Sequence, residues 1–200
     1  MNSSKAATRG GARRDRAGSG RVRIIAGEFR GRRIEVAAQP ALRPTPDRVR
    51  ETLFNWLGQW LDGLVCLDLF AGSGALGFEA ASRRAARVVM VENDRIAFRT
   101  LEQSRDLIRA KQVELVFGDA IEYLSRSADR FDVVFLDPPF RQNALPSVLE
   151  RLPERMAAGG RVYIEAPSPI DLQAPWREIK RARAGQVNYQ LVEWEGGATK

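Results

Sequence analysis

The sequence predicts an α/β protein with a doubly wound, Rossmann-like and mostly parallel sheet. Five short apolar runs alternate with segments of helical periodicity from residue 64 onwards. The inner runs, such as residues 87–91 (RVVMV), are continuously apolar. This pattern is typical of strands that helices cover on both faces. A glycine-rich turn also follows the first run, at the position where such folds begin their first helix.

The boundaries follow from these patterns. We expect strands at residues 65–69, 87–91, 113–117, 132–136 and 160–165, with helices at about 75–84, 94–109, 119–126 and 144–157. Two further β-like runs, residues 176–183 and 186–194, flank Ala184-Gly185. They predict an antiparallel hairpin at the sheet edge. This domain is expected to span residues 43–200.

Two segments precede that domain. Residues 1–20 are rich in Ser, Ala, Gly and Arg without an apolar period, which predicts a disordered basic leader. Residues 21–42 form an expected β-hairpin extension, in which runs at 21–26 and 32–37 flank the loop sequence GEFRG. The hairpin is unusually rich in arginine, with Arg21, Arg23, Arg30, Arg32 and Arg33.

The segment 43–61 carries a helix-start signature. Thr45 is a candidate N-cap, Pro46 fits the first helical position and Asp47 complements the helix dipole. Apolar residues then recur at helical spacing and are expected to face the core: Val49, Leu53, Trp56, Leu57, Trp60 and Leu61. The polar residues of the first turns are placed to reach a ligand: Arg48, Arg50 and Glu51.

Composition excludes several classes of protein. No apolar run approaches the length of a membrane span, and the N-terminus lacks the apolar core of a secretory signal. The chain has no histidine and one cysteine, Cys66, which we expect to be buried in the first strand. Disulfide frameworks, Cys/His zinc sites and catalysis by a histidine base are therefore excluded. We expect a cytoplasmic monomer without a metal ion.

The net charge of +7 is unevenly distributed along the chain. Residues 1–33 contain ten Lys or Arg and two acidic residues, a balance of +8, whereas the rest contains 22 basic and 23 acidic residues, a balance of −1. A basic arm on a near-neutral body indicates a polyanionic partner, with nucleic acid the first candidate. A solubilising tail explains residues 1–20 equally well.

The chain is organised around the segment 65–77, VCLDLFAGSGALG. A buried strand ending at Asp68 leads into a turn in which Gly72, Gly74 and Gly77 match the G-x-G-x-x-G pattern. This pattern places the polar groups of a cofactor against backbone N–H groups at a helix N-terminus. Short glycine clusters also form ordinary turns, so the pattern alone is weak.

Acidic residues at the ends of the next strands strengthen that interpretation. Glu92 lies twenty residues after Gly72, where an acid can accept hydrogen bonds from both hydroxyls of a ribose. Asp119 follows the third strand and could accept from an exocyclic amine of adenine. Helix N-capping is the alternative role for Asp94 and Asp119.

The fourth strand ends in Asp137-Pro138-Pro139-Phe140. Two prolines stop both sheet and helix, so they predict a rigid turn without N–H donors at these two positions. The Asp137 carboxylate and the Pro138 carbonyl are acceptors, and Phe140 offers an aromatic face. Such a turn fits a planar base whose amino group is held and desolvated.

These motifs, DLFAGSGALG, VEND, GDA and FLDPPF, resemble class I S-adenosylmethionine-dependent methyltransferases that act on exocyclic amino groups. The segments RIIAGEFRGRRI and RPTPDRVRETLFNWL further resemble the RsmD family of bacterial enzymes, which methylate a guanine N2 in 16S ribosomal RNA. The resemblance covers about residues 21–195 and implies guanine 966 as the target.

The resemblance also implies site residues. S-adenosyl-L-methionine would be held by the methionine-binding residues Asp68, Ala71, Gly72, Ser73 and Gly74, the ribose-binding Glu92 with Asn93, and the adenine-binding Asp119 with Ala120. The flipped guanine would be received by Asp137, Pro138 and Phe140, whose two acceptors would turn the nitrogen lone pair towards the methyl group. The expected RNA-binding residues are Arg23, Arg30, Arg32, Arg33, Arg43 and Arg48. The partner would be 16S rRNA in the small ribosomal subunit or an assembly intermediate.

Alternatives remain at this stage. A DNA adenine-N6 methyltransferase or a protein-glutamine methyltransferase shares a related tetrapeptide at the fourth strand end. Asp137 and the basic hairpin favour a nucleic-acid substrate over a protein. A nucleic-acid-binding module with a vestigial cofactor fold is a further possibility. An NAD-dependent oxidoreductase is disfavoured because it has no need for the Pro138-Pro139 turn.

Overall fold

The structure of the protein, a computed structural model, describes residues 20–37, 45–139 and 144–196. Its strands are β1 Gly20–Arg23, β2 Arg33–Val36, β3 Val65–Asp68, β4 Arg87–Glu92, β5 Val113–Phe117, β6 Phe131–Leu136, β7 Met156–Ala166, β8 Trp176–Ala184 and β9 Val187–Trp194. Its helices are α1 Asp47–Leu57, α2 Ala75–Ser82, α3 Arg95–Ile108, α4 Ala120–Arg126 and α5 Leu145–Arg151, with a 3-10 turn at Leu152–Arg155. Among these residues, no helix is long and apolar enough to cross a membrane.

The predicted doubly wound sheet is confirmed. Seven strands lie in the order β5-β4-β3-β6-β7-β9-β8, and the first five of this order are parallel. The strand order reverses between β3 and β6, because β4 and β5 are added on one side of β3, and β6 and β7 on the other. The carboxyl ends of β3 and β6 therefore lie side by side at the point where such folds bind ligands.

Alternate residues of the sheet supply two separate cores. Cys66, on one face, belongs to the core that contains α1, α2 and the N-terminal hairpin. Leu67, on the other face, belongs to the core that contains α4 and α5. Both faces are therefore covered, which explains why the inner strands are apolar at every position. The single cysteine is fully buried, as expected, and burial raises its pKa.

The C-terminal hairpin is confirmed, with β9 inserted antiparallel between β7 and β8 and with β8 at the edge of the sheet.

The largest error concerns the segment before β7, where a helix was expected to continue to residue 157. The chain leaves α5 at Arg151, passes through a 3-10 turn that contains Pro153, and enters β7 at Met156. Proline in the interior of a helix removes a hydrogen bond and clashes with the preceding turn, which explains the early end.

Helix α1 departs from prediction at both ends. Thr45 does not cap the helix, because the N-cap is Pro46 and the Thr45 hydroxyl bonds elsewhere. The helix ends at Leu57, and Gly58 with a φ of 105° redirects the chain. Trp60 is consequently 52% exposed rather than in the core. The predicted core residues Val49, Leu53 and Leu57 are buried on α1, and Leu61 is buried in the loop that follows.

The hairpin β1-β2 forms a separate antiparallel sheet that packs against α3. It joins the main domain through the carboxylate of Glu79 on α2, which is fully buried. The two carboxylate oxygens of Glu79 accept hydrogen bonds from the backbone N–H groups of Ile25 and Ala26, at 2.8 and 3.0 Å. The loop after β1 is thereby fixed to α2.

The same carboxylate neutralises two buried arginines. Arg50 of α1 approaches Glu79 to 3.4 Å, and Arg83 approaches it to 3.0 Å. The Arg50 guanidinium also donates to the carbonyl of Arg23 and to the carboxylate of Asp47. Arg50 was expected to reach a ligand, but it is fully buried in this network. Glu79 therefore joins the hairpin, α1 and α2.

We predict that Glu79→Gln destabilises the protein by about 3–5 kcal/mol, because it removes the buried carboxylate that the guanidinium groups of Arg50 and Arg83 share. Glu122→Gln is the control, since Glu122 forms an exposed pair with Arg126 and its loss costs at most about 1 kcal/mol. Urea unfolding of the two variants measures the difference. Equal midpoints would show that Glu79 does not hold these elements together.

Candidate functional site

The carboxyl ends of the parallel strands bring the predicted acidic residues to one edge of the sheet. Asp68 ends β3, Glu92 ends β4, Asp119 follows β5 and Asp137 follows β6. β3 pairs with both β4 and β6, so Asp68 lies between the ends that carry Glu92 and Asp137. The structure also places a residue that we did not predict, Glu165, near the end of β7.

The glycine-rich turn requires glycine at two positions. Gly74 is the N-cap of α2 with a φ of 77°, and a Cβ there would lie 2.6 Å from the side chains of Leu101 and Phe78. A Cβ on Gly77 would lie 2.7 Å from the sulfur of Met90, so glycine allows α2 to pack closely on β4. Both positions match the roles that the G-x-G-x-x-G pattern assigns to its later glycines.

Asp68 is only 2% exposed. Its Oδ2 accepts a 2.9 Å hydrogen bond from the N–H of Gly77, in the first turn of α2. Burial raises the pKa of Asp68 to about 7, and the negative charges of Asp137 and Glu92 add to the rise. A positively charged ligand group beside Asp68 would offset this cost, because it favours the ionised carboxylate.

Glu92 joins the turns that follow β3 and β4. Its Oε2 accepts from the N–H of Gly72, and its Oε1 accepts from the N–H of Asp94, both at 2.7 Å. The half-exposed carboxylate is therefore held at the mouth of the glycine-rich turn. Asn93 is exposed beside it. The Glu92 carboxylate is thus an acceptor at this edge that could take hydrogen bonds from a pair of ribose hydroxyls.

Two acids have the N-cap role that was the alternative for them in the sequence. Asp94 accepts from the N–H groups of Ile96 and Ala97 at the start of α3. Asp119 caps α4, and Oδ1 accepts from the N–H groups of both Ile121 and Glu122. Asp119 is exposed, so capping does not remove it from the site surface.

An aromatic residue missed by the sequence analysis lies next to Asp119. Phe117, at the end of β5, is 47% exposed. Phe98 meets its ring edge-on at 5.4 Å between centroids, and the Arg95 guanidinium lies 5.2 Å from its centroid. Phe117 and Asp119 also line a cavity of about 390 Å³. An aromatic residue at the end of a strand, next to an acid, is the signal in the sequence that could have predicted a ligand-stacking surface here.

Asp137 is bound by a residue distant in sequence. The hydroxyl of Thr45, just before α1, donates to Asp137 Oδ2 at 3.3 Å. Burial raises the pKa of Asp137 to about 6, while the hydrogen bond from Thr45 lowers it. Pro138 is buried and Pro139 is exposed. Phe140 lies outside the described residues.

A cavity of about 500 Å³ adjoins the turn after β6. Proline and aliphatic side chains form most of its wall, among them Pro138, Pro139, Pro146, Pro167, Ile170 and Leu172. The cavity is large enough for a nucleobase with part of its backbone, and its apolar wall would exclude water from a bound base.

Glu165 lies beside Asp137 because β6 and β7 are parallel and Leu136 pairs with Ile164. It is 6% exposed, and Oε1 accepts a 2.9 Å hydrogen bond from the hydroxyl of Tyr163. Burial, together with the charge of Asp137, raises the pKa of Glu165 to about 8. The acid-at-strand-end rule that found the other residues predicts Glu165 when it is applied one strand further.

The arginines expected to bind RNA are divided between two places. Arg23 lies 3.8 Å from Asp47 in the first turn of α1, and Arg48 is exposed on the same turn. This turn follows Thr45 and is therefore close to Asp137. Arg33 is exposed on β2, opposite Arg23. Arg43 lies outside the described residues.

Arg30 and Arg32 lie in the hairpin loop, which docks at the C-terminal ends of α2 and α3. Their loop bonds to Ser82, the last residue of α2, and the Arg32 guanidinium donates to the carbonyl of Ile108, the last residue of α3. Both helices start at the carboxyl edge of the sheet, so their C-termini lie at the opposite edge. These two arginines are therefore not beside Asp137.

The comparison with known families agrees with this geometry. A family model described as conserved hypothetical protein 95 matches residues 22–193, from the N-terminal hairpin to β9. A curated protein named ribosomal RNA small subunit methyltransferase D, from Escherichia coli K12, is 40% identical over 183 residues, which are 89% of this chain and 92% of the relative. The chain belongs to the RsmD family.

Other RsmD proteins and structures extend the match. The protein of the same name from Haemophilus influenzae is 39% identical over 182 residues, covering 87% of this chain and 94% of the relative. The solved structure of yhhF from Escherichia coli matches with a TM-score of 0.81 and 39% identity, covering 89% of this chain and all of that one. The arrangement of strand ends described above thus lies within the matched region.

The raised pKa of Asp68 predicts a pH-dependent stability. Between pH 4 and 7 the folded state binds more protons than the unfolded state, so the free energy of unfolding falls as the pH rises. The contribution of Asp68 is complete below pH 4 and is lost as the pH passes 7. Asp68→Asn should flatten this decline by about 2–4 kcal/mol.

Urea unfolding from pH 4 to 8 measures this slope. Asp62→Asn is the matched control, because Asp62 is exposed and pairs with Arg84 at the surface. If the stability of the Asp68 variant declined with pH as steeply as that of the wild type, the raised pKa of Asp68 would not be the cause of the decline.

Proposed function

We propose that this RsmD-family chain methylates the exocyclic N2 of a guanine in 16S ribosomal RNA with S-adenosyl-L-methionine. The observation that carries the proposal is the acceptor-only turn Asp137-Pro138-Pro139 beside the glycine-rich turn. The two turns follow the neighbouring strands β6 and β3, so a base and a cofactor could meet there. The names of the relatives, ribosomal RNA small subunit methyltransferase D, support the RNA substrate.

The residues present fit the cofactor. Its methionine portion carries an ammonium and a sulfonium, and the edge offers the buried acid Asp68 together with Asp137. The Gly72–Gly74 turn leaves no side chain at Gly72 and Gly74, so a ligand could approach the backbone there. Glu92 would accept from the ribose hydroxyls, Asp119 from the adenine amine, and Phe117 would contact the adenine ring. Ala71, Ser73, Asn93 and Ala120 would complete the surface.

When bound, S-adenosyl-L-methionine supplies a methyl group activated on a sulfonium. Asp137 and the Pro138 carbonyl would accept the two hydrogens of the amino group, which orients its lone pair away from the turn. Positive charge develops on the nitrogen during transfer, and the Asp137 carboxylate would stabilise it. Cys66 is buried in the core and takes no part.

The choice of guanine over adenine rests on the resemblance to the RsmD family. A turn made of a carboxylate, a carbonyl and proline nitrogens without hydrogens offers acceptors only. Such a turn can hold the two amino hydrogens of either base. The proposed role of Phe140 is to stack on the base.

The RNA would reach the site across the first turn of α1. Arg23, Arg33 and Arg48 lie at or near this turn, and we propose Arg43 as a further contact. The proposed partner is 16S rRNA within the small subunit or an assembly intermediate, bound by a cytoplasmic monomer. The proposed division of the chain is a basic leader at 1–20, a hairpin extension at 21–42 and a methyltransferase domain at 43–200.

We predict that Asp137→Asn abolishes most turnover but preserves cofactor binding. The amide removes the charge that stabilises the transition state, which costs about 10²–10³ in kcat. The test is transfer of labelled methyl groups to small ribosomal subunits that lack the modification, together with calorimetry of cofactor binding. Wild-type turnover by the variant would refute the role of Asp137, whereas a loss of both activities would indicate misfolding or a cofactor role.

We predict that Glu92→Gln weakens binding of S-adenosyl-L-methionine by about 10- to 100-fold, since charge-assisted hydrogen bonds contribute roughly 1.5–3 kcal/mol. Asp119→Asn should have a smaller effect, because an amide oxygen can still cap α4. Equilibrium dialysis measures both affinities, with the exposed Glu122→Gln on α4 as the control. Normal binding by the Glu92 and Asp119 variants would exclude the proposed ribose and adenine contacts.

The location of the arginines predicts different effects of two paired substitutions. Arg23→Gln with Arg48→Gln should weaken RNA binding and flatten its log–log salt dependence by roughly 0.7–0.9 for each phosphate that is no longer neutralised. Arg30→Gln with Arg32→Gln is the matched control in the hairpin loop beside the ends of α2 and α3, and it should leave the slope nearer to wild type. A salt titration of binding compares them. A larger effect of the Arg30 and Arg32 pair would place the RNA on the other edge.

A further inference from the structure

The charge of the C-terminal hairpin, β8 and β9, is divided along its length. Ala184 of β8 pairs with Val187 of β9, and Asn188 pairs with Ala166 at the end of β7, so the turn between β8 and β9 lies at the carboxyl edge of the sheet. The half of the hairpin next to this turn, residues 179–190, contains three basic residues and no acid. The other half, residues 176–178 and 191–195, contains one basic residue and three acids.

The three basic residues of the first half, Lys180, Arg181 and Arg183, are exposed. Arg181 pairs with Glu178 at 2.7 Å, and Arg183 donates to the carbonyl of Gly185 at 2.8 Å. Among the residues that the structure describes, no acid pairs with Lys180 or Arg183. In the other half, Arg177 pairs with two acids at once, Glu193 and Glu195. The excess of positive charge therefore lies at the carboxyl edge.

Protection of the sheet edge does not explain this division. Basic side chains on an edge strand such as β8 prevent it from pairing with other chains. That role needs charges along the whole strand, and it gives no reason to separate the acids from the basic residues. A basic surface at one end of the hairpin is instead typical of a site that binds a polyanion.

Arg181 and Arg183 lie on the same face of the sheet as the cavity of about 500 Å³ beside the turn after β6. Arg183 pairs with Asn188, which pairs with Ala166 in the cavity wall, and residues that pair across strands project to the same face. Arg181 pairs in the same way with Gln190. Because neighbouring strands are about 4.8 Å apart, Arg183 begins about 10 Å from the wall, a distance that its long side chain can largely cover.

The hairpin also holds the wall of the cavity in place. Gln190 is only 1% exposed, and its amide accepts from the N–H of Ile170 at 2.6 Å and donates to the carbonyl of Ile170 at 3.0 Å. Asn188 donates to the carbonyl of Pro167 at 2.8 Å. Pro167 and Ile170 both line the cavity, whose wall contains one acid, Asp171. The cavity and the basic half of the hairpin are thus joined by hydrogen bonds.

The cavity and the carboxylate of Asp137 lie on opposite faces of the sheet. Asp137 accepts from Thr45, which precedes α1, whereas Pro138 lines the cavity together with Leu145 and Leu149 of α5. Successive residues of an extended chain point to opposite faces. A strand that presents its guanine to Asp137 would therefore pass an adjacent nucleotide over Pro138 towards the cavity.

We propose that this cavity and the basic half of the C-terminal hairpin form a second RNA-binding subsite, which holds a nucleotide next to the target guanine. The apolar wall would contact its base, and Arg181 and Arg183 would contact the phosphates. An apolar surface beside a basic groove is how proteins bind single-stranded RNA. The subsite rests on the proposed function, and it makes the RNA cross the carboxyl edge from the first turn of α1 to β8.

A salt titration of binding to small ribosomal subunits that lack the modification tests the subsite. Arg181→Gln with Arg183→Gln should flatten the log–log salt dependence by roughly 1.4–1.8, since each lost phosphate contact contributes roughly 0.7–0.9. Arg177→Gln with Arg126→Gln is the control, because it removes two exposed, ion-paired arginines that lie away from the cavity. Arg181→Lys with Arg183→Lys keeps both charges and should keep the wild-type slope.

An unchanged slope in the Arg181→Gln and Arg183→Gln variant would overturn the subsite. An equal change in the control variant would also overturn it, because the effect would then follow from net charge and not from position.

Directed cleavage locates the RNA without altering these arginines. Cys66 is the single cysteine and is buried, so a cysteine introduced by Gln186→Cys, in the exposed turn between β8 and β9, can be labelled selectively with iron–EDTA. Radicals from this site should cleave 16S rRNA within a few nucleotides of the methylated position. Glu195→Cys, exposed beyond the other end of β9, is the control and should cleave there weakly or not at all. No cleavage from Gln186→Cys, or equal cleavage from both sites, would overturn the subsite.

These measurements separate the two proposals. A wild-type protein that methylates no guanine but binds the subunits with a salt dependence set by Arg181 and Arg183 would refute the proposed function and retain the RNA surface. Methylation of guanine with a salt dependence that ignores these arginines would retain the function and refute the subsite.

Discussion

The arrangement of the site depends on one buried ion-pair network centred on Glu79. Its carboxylate holds the loop after β1 through two backbone N–H groups and holds α1 through Arg50. Arg50 in turn donates to the carbonyl of Thr45, whose hydroxyl reaches Asp137. The N-terminal extension and α1 are thus connected to the acidic turn through consecutive hydrogen bonds. The N-terminal hairpin is therefore part of the support of the site.

The electrostatics of the carboxyl edge explain what it can bind. Asp68, Asp137 and Glu165 are acids whose pKa values are raised, mainly because burial disfavours their charged forms. Such a cluster is destabilising by itself at neutral pH and gains from a cationic ligand. A sulfonium and an ammonium meet that need. A polyanion does not, which is why arginines at the first turn of α1 would have to guide RNA to this edge.

The sequence predicted the features that depend on local chemistry. Continuous apolar runs predicted the strands, and the glycine spacing and the acids at strand ends predicted the edge of the sheet at which these residues lie together. Long-range pairings were not predictable from it. Thr45 looked like an N-cap, but the fold brings Asp137 to its hydroxyl; Arg50 looked accessible, but Glu79 buries it. The positions of Arg30 and Arg32 depend on how the hairpin docks against the ends of α2 and α3. Glu165, in contrast, could have been predicted from the sequence, because it is an acidic residue at the end of an apolar strand, as Asp68 and Glu92 are.

The central claim is that the acceptor turn presents the N2 of guanine for methylation. The most direct measurement is quantitative mass spectrometry of nucleosides from 16S rRNA, comparing a strain in which this gene is deleted with the same strain expressing the chain. The account predicts that one N2-methylguanosine is missing in the deletion strain and returns with the chain. An unchanged N2-methylguanosine content, or the return of N6-methyladenosine in its place, would contradict it.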